Sequence, residues 1–153
     1  MNLSRGRRAL ATLSALLLVP VLLVGCSDDP QADYCDAVEE HQQELTEVLA
    51  GGGPAALLEA LPVFRELRED APSDIRDEWQ QVIGALEALK EALEGAEVDP
   101  ATYDRDNPPA DLTQAEKDRI DAAARDLASP GTRQALDGVE QQARDVCKTP
   151  LFL

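Results

Sequence analysis

The chain has 153 residues and a formal net charge of −16, because 30 Asp and Glu residues outnumber 14 Lys and Arg residues. Such an acidic surface repels nucleic acid, which we therefore do not expect as a partner. Aromatic residues make up only 3% of the chain, which disfavours a β-sandwich and favours helices packed by Leu, Val, Ile and Ala. The length is sufficient for one domain with a modest hydrophobic core.

Residues 1–25 have the pattern of a secretory leader. Three basic residues, Arg5, Arg7 and Arg8, precede an apolar run over residues 9–24. A positive start, an apolar centre and small residues before a cleavage site are typical of a signal peptide, which is removed and takes no part in the fold. We therefore predict a signal peptide over residues 1–25.

The predicted leader ends in Leu23-Val24-Gly25-Cys26, which resembles the lipobox of bacterial lipoproteins. The resemblance implies that cleavage occurs before Cys26 and that the Cys26 thiol carries a diacylglyceryl group. The lipid would anchor the protein on the extracytoplasmic face of the cell membrane, so the membrane is an expected partner. Loss of the leader would leave 11 basic and 30 acidic residues, a net charge of −19.

Two other interpretations of this segment stay open. An uncleaved transmembrane helix needs about 20 apolar residues, and the run over residues 9–24 is shorter than that. Arg7-Arg8 also resembles a twin-arginine export signal, so the sequence does not decide the route of export.

Cysteine pairing follows from the lipid anchor. The three cysteines are Cys26, Cys35 and Cys147, and an odd number is unusual in an exported protein. Lipidation of Cys26 leaves Cys35 and Cys147 as a pair in a compartment where disulfides persist. We predict a disulfide between them, with two free thiols as the alternative. The absence of a Cys-x-x-Cys motif argues against a thioredoxin-type role.

The first two predicted helices follow a tether over residues 26–32. Asp33 is a candidate N-cap for the first helix, and Gly51-Gly52-Gly53 ends it. Pro54 suits the first turn of the second helix. Pro62 lies within the apolar stripe of that helix and should kink it or split it.

Three further helices are predicted after Ala71-Pro72. Ser73 is a candidate cap for the third helix, which has the strongest apolar stripe and ends at Gly95. Thr113 and Glu116 form a predicted capping box at the start of the fourth helix. Ser129-Pro130 then combines a cap with a first-turn proline and opens the fifth helix, which continues to Cys147.

A Pro- and Asp-rich connection over residues 96–111 separates the third and fourth helices. A bridge between the two ends of the domain requires an even number of passes along the bundle. Five helices joined by tight turns would give an odd number, so we predict that this connection runs back along the bundle. The predicted fold is all-α: a four- to five-helix bundle over residues 33–153 with one long crossover connection, stapled by the disulfide between the first and last helices.

Few residues are candidates for chemistry. His41 is the only histidine and lies on the apolar face of the first helix, which favours a boundary residue with a hydrogen-bonded ring over a catalytic or metal-binding role. Asp104, Asp106 and Asn107 resemble a cation loop, but the third ligand position of a calcium loop is missing. Trp79 is expected in the core. We therefore assign no catalytic residue, no metal ligand and no cofactor.

Part of the domain resembles the small helical lipoproteins of high-GC Gram-positive bacteria, a family of unknown function. The resemblance rests on Asp33-Tyr34-Cys35, on Ala71-Pro72 with Glu78-Trp79, and on Ala143-Arg144-Asp145-Val146-Cys147. The expected function is a non-enzymatic, membrane-anchored module that binds or scaffolds an unknown protein of the cell envelope. The alternative is a small-ligand or cation binding protein, or an enzyme, with a pocket under residues 96–111 that uses Trp79, Tyr103 and the Asp cluster.

Overall fold

The computed structural model describes residues 29–153, and it confirms the all-α prediction. Within these residues there are five α-helices and one short π-helical segment, and there is no β-strand. The predicted signal peptide and Cys26 lie outside the described residues. The elements are α1 (Pro30–Leu49), α2 (Gly53–Asp70), α3 (Arg76–Glu94), α4 (Gln114–Leu127), α5 (Pro130–Gln142) and the π-helical segment Ala143–Cys147.

The first helix begins earlier than predicted. Asp29, rather than Asp33, is the N-cap of α1, and its side chain accepts a hydrogen bond from the backbone N–H of Gln31 at 3.1 Å. Pro30 occupies the first turn, where its fixed φ and missing N–H cost nothing. Residues 30–32 of the predicted tether therefore belong to the helix.

The junction of α1 and α2 confirms the predicted glycine turn. Gly52 and Gly53 have φ values of 67° and 73°, in a left-handed region that glycine adopts without steric cost. Pro54 lies in the first turn of α2, as predicted. Pro62 does not split the helix: α2 is one element, because Leu61 and Val63 on either side of the proline are buried and hold the chain in place.

Of the three helix caps predicted after α2, those at Thr113 and Ser129 are confirmed and the one at Ser73 is wrong. The side-chain oxygen of Thr113 accepts from the N–H of Glu116, while the Glu116 carboxylate accepts from Thr113 and completes the capping box. The Ser129 hydroxyl caps α5 by accepting from the N–H of Thr132 at 3.2 Å. Ser73 caps nothing, because residues 73–75 form a turn and Ile75 occupies the cap position of α3 without a side-chain bond.

The predicted disulfide is present. Cys35 in α1 and Cys147 at the end of the π-helical segment are bonded, with their Cα atoms 5.0 Å apart. Contacts along the bundle show that α1, α2 and α3 alternate in direction: His41 meets Glu66, and Arg65 meets Glu87. The start of α1 and the end of the helical chain therefore lie at one pole of the bundle.

The connection over residues 96–111 takes a different route from the one predicted. Residues 96–99 at its start and Pro109 and Asp111 near its end line the same cavity near Glu116. Both ends of the connection therefore lie at the pole where α3 ends. The missing return pass is made by α4 and α5 together. Ile120 of α4 packs on Leu89 and Leu93, and α5 continues in the same direction, with Gly131 near Gln81 and Gly138 near Glu78.

The main core extends along the bundle from Tyr34, beside Cys35, to Leu49 at the end of α1. Trp79 packs against Phe64 with ring centroids 5.4 Å apart, and its Nε1–H donates to the Tyr34 hydroxyl at 3.3 Å. Leu151 is also buried in this core. The residues after Cys147 run beside α1, because Gln42 Nε2 donates to the Pro150 carbonyl at 2.7 Å.

We expect the disulfide to contribute a large part of the stability of this domain. It closes a loop of 112 positions, for which the chain-entropy model gives about 4–5 kcal/mol, with about 2–5 kcal/mol typical when a native bridge is removed. Reduction of the wild type should therefore lower the urea concentration at the midpoint of unfolding. A Cys35→Ser/Cys147→Ser variant should unfold at the same urea concentration as the reduced wild type, and adding reductant should not change that concentration. Equal unfolding midpoints for the oxidised and reduced wild type would contradict this.

Stability should also fall at alkaline pH through Tyr34. Burial raises the pKa of Tyr34 to about 12, although the hydrogen bond from Trp79 acts in the opposite direction. The unfolded chain loses this proton near its ordinary pKa of 10.0, so stability is complete below that pH and declines as the pH rises toward 12. We expect a loss of about 1 kcal/mol between pH 8 and pH 11. The free energy of unfolding of Tyr34→Phe, measured with urea, should decline less over the same pH range. If the wild type and Tyr34→Phe lose the same free energy between pH 8 and pH 11, Tyr34 does not have this role.

Candidate functional site

An apolar cleft opens at the pole opposite the disulfide, and we call it the distal cleft. Its floor is the C-terminal part of α3, where Leu89 and Leu93 are buried. The start of α2 forms one wall and α4 forms the other, with Leu58 facing Ala124. Pro100 and Tyr103 of the connection close one end. The volume of this section is about 300 Å³.

The cleft exists because α2 and α4 lie apart on either side of α3. Both helices pack on α3, but no Cα atom of α2 lies within 8 Å of a Cα atom of α4. The side chains that face the gap from α4 are small: Ala123 and Ala124 pack at the edge of the second core cluster, while Ile120 is the one residue of α4 that is fully buried. Alanine leaves space that a larger side chain would occupy.

A second cavity of about 410 Å³ continues from the first. The two share Gly52, Pro54 and Ala124. The second section is lined further along by Leu57, Leu127 and Phe152, among others. The distal cleft is therefore elongated, and it runs from Tyr103 to the last residues of the chain.

Few polar groups line the first section of the cleft. Arg105 Nε and an Asp121 carboxylate oxygen are paired at 2.8 Å, which joins the connection to α4. Tyr103 is half-buried and supplies a phenol. Because the two charged groups neutralise each other at the rim, the interior presents apolar surface to whatever enters.

The structure brings together only part of the predicted alternative site. Tyr103 lines the distal cleft, but Trp79 lies in the other core cluster with Tyr34 and Phe64 and does not reach it. Asp104 accepts from the backbone N–H of Asp106 at 2.9 Å, and its carbonyl accepts from the N–H of Asn107 at 3.3 Å. The Asp cluster thus forms a local turn.

His41 is a boundary residue, as predicted. Its side chain is 19% exposed and lies between two glutamates. Nδ1 is 3.4 Å from Glu44 one turn along α1, and Nε2 is 3.2 Å from Glu66 on α2. The contact with Glu66 joins α1 to α2.

Within residues 29–153, no helix is long and apolar enough to span a membrane. In the same range, no three or more His, Cys, Asp or Glu side chains are grouped so that they could hold a metal ion.

The sequence pattern places the residues of the distal cleft on the apolar faces of their helices, but it does not predict the open space between α2 and α4. Leu58, Leu89 and Leu93 have the spacing of core positions, and that spacing cannot reveal whether opposing side chains meet. The available signal was the fourth helix, where two consecutive alanines, Ala123 and Ala124, occupy the inward face.

Comparison of the chain with protein-family models, with curated proteins and with solved structures gives no match.

Proposed function

We propose that the protein is a lipid-anchored, extracytoplasmic binding protein that takes an apolar small molecule into the distal cleft. The observation that carries the proposal is the cleft itself: an elongated space, lined by Leu58, Leu89, Leu93 and Ile120, that the protein does not fill. Ligand sites are typically concave, mostly apolar and about 300–1,000 Å³ in volume. A slender hydrocarbon group, such as an alkyl or isoprenoid chain, suits this shape and lining.

The chemistry of the lining favours binding over catalysis. The first section of the cleft has no Ser, Cys, His, Lys or Glu, its only charged residues, Arg105 and Asp121, are paired, and Tyr103 is its one other titratable residue. Acid–base and nucleophilic mechanisms combine several positioned groups, and a lone phenol does not supply such a set. A purely scaffolding role would not require an unfilled cleft, so ligand binding accounts for more of the described structure.

The proposed anchor and the cleft would be well separated. Cys26 precedes the N-cap Asp29 by three residues, and α1 then runs for 20 residues to Leu49 at the cleft. A helix of that length is about 30 Å long. A lipid on Cys26 would therefore hold the protein by the disulfide pole and leave the distal cleft open to ligands away from the attachment point.

Filling the cleft should abolish ligand binding without unfolding the bundle. Ala124 lines both sections of the cleft, so Ala124→Phe would place a ring in it. The neutral fluorescent probe N-phenyl-1-naphthylamine should bind the wild type, and fatty acids of increasing length should displace it. We expect Ala124→Phe to weaken probe binding by at least about tenfold, or 1.4 kcal/mol.

Ala122→Phe is the matched control, because Ala122 lies on the exposed face of the same helix. It should bind the probe as the wild type does, and both variants should keep the helical circular dichroism signal. Failure of the wild type to bind the probe, or equal loss in the two variants, would overturn the proposed cleft function.

The anchor is tested separately. Cys26→Ser should abolish metabolic labelling with radioactive palmitate and release the protein from the membrane fraction, because serine has no thiol to acylate. Ser14→Ala, within the apolar run of the leader, should leave labelling and retention unchanged. Retention of Cys26→Ser in the membrane fraction, or an intact leader in mass spectrometry, would contradict lipid anchoring.

A further inference from the structure

A second concave region lies between α3 and α5, on the half of the bundle near the disulfide. A cavity of about 480 Å³ is lined by Asp77, Glu78 and Asp137, with glutamines between them. It continues into a cavity of about 260 Å³ that shares Glu78, Gly138 and Gln141 with it and ends at Asp145. We call this continuous region the α3–α5 groove.

The groove forms because glycines bring the two helices close together. A Cβ atom added at Gly131 would lie 2.8 Å from Gln81 Nε2, and one at Gly138 would lie 3.5 Å from Glu78 Cγ. Because neither glycine has a side chain, the polar side chains of α3 and α5 lie along the two sides of the α3–α5 groove and do not meet across it.

Two oxygens in the groove wall have no hydrogen-bond partner. One is Glu78 Oε2, and the other is Oε1 of Gln142, a residue only 9% exposed. Glu78 and Gln142 both line the shorter section. A buried acceptor without a donor costs free energy, and such groups in native proteins call for a partner. A ligand that carries N–H or O–H groups would supply a donor to both oxygens.

The charges along the groove favour a cation. Its carboxylates are those of Asp77, Glu78, Asp137 and Asp145, and no Lys or Arg lines it. None of these four carboxylates takes part in the ion pairs found within residues 29–153. The Asp145 carboxylate accepts from Gln141 Nε2 at 3.2 Å, while Lys148 Nζ donates to the backbone carbonyl of Asp145 and not to its carboxylate.

The spread of these carboxylates distinguishes an extended organic cation from a metal ion. A divalent metal needs several oxygen ligands that converge on one point, and no such group of three exists in the described residues. Asp137 and Asp145 are eight residues apart along the last helical segment, a separation of about 12 Å. A chain of ammonium groups separated by alkyl segments would meet the carboxylates in turn, while Ile75, Ala135 and Val146 would contact its alkyl segments.

We infer that the α3–α5 groove is a binding site for a linear aliphatic polyamine. Both oxygens are shielded from solvent, so the Glu78 and Gln142 side chains rotate toward the groove for one ammonium group to donate to them. The other ammonium groups pair with Asp77, Asp137 and Asp145. The inference is independent of the proposed function of the distal cleft, because the two sites share no lining residue.

Isothermal titration calorimetry with spermidine tests the inference on the full chain, purified as expressed in non-ionic detergent. We expect saturable binding at low ionic strength that weakens as NaCl is added. Glu78→Gln should weaken it by at least about tenfold, the factor for one charge-assisted hydrogen bond. Gln142→Leu should also weaken binding without lowering the melting temperature, because it removes an unpaired buried oxygen.

Glu91→Gln is the matched control, since it removes the same charge from an exposed position of the same helix outside the groove. It should change the affinity for spermidine by less than about twofold. Equal weakening by Glu78→Gln and Glu91→Gln would reveal only general charge attraction and overturn the site. The absence of spermidine binding would also overturn the site, as would tighter binding of Mg²⁺ that depends on Glu78. Tighter binding of tetralysine than of spermidine would overturn it too, because it would indicate a basic protein segment as the partner.

Discussion

The covalent link between Cys35 and Cys147 constrains the arrangement of all five helices. It joins two residues 112 positions apart, so the chain between them must leave one pole of the bundle and return to it. That requirement is met by four passes, of which the last is shared by two short helices. The junction at Ala128 and Ser129 is short enough to keep α4 and α5 moving in one direction, and the Ser129 cap with Pro130 restarts the helix there.

The divided last pass also explains why the two halves of the bundle differ. α5 approaches α3 closely because Gly131 and Gly138 lack side chains. α4 packs on the other end of α3 through Ile120, and its neighbouring alanines do not reach across to α2. Native cores are close-packed and leave few voids larger than a water molecule. The filled core around Trp79 follows that rule, and the distal cleft departs from it.

Several local features of this fold could be predicted from the sequence, because each depends on groups a few residues apart, although the caps predicted at Asp33 and Ser73 were wrong. The Thr113–Glu116 capping box, the Ser129 cap and the glycine turn before Pro54 are of this kind. The cysteine pair could be predicted as well, once Cys26 was assigned to lipid. The route of residues 96–111 could not, because two solutions satisfy the even number of passes: an extended return, or one pass shared by two helices. Helical spacing gives the inward face of Leu58 and Ala124 but not the distance between them.

Both proposed sites depend on α3, and its sequence keeps them apart. Asp77 and Glu78 in its first turn border the groove, while Leu89 and Leu93 in its last turns form the floor of the cleft. Glu78 and Leu89 are separated by about 16 Å of helix, and Trp79, Val82 and Leu86 fill the core between them. The two sites also differ in physical character, since salt screens charge pairing but does not weaken apolar burial. If both sites bind as proposed, added NaCl should weaken binding in the groove without weakening binding in the cleft.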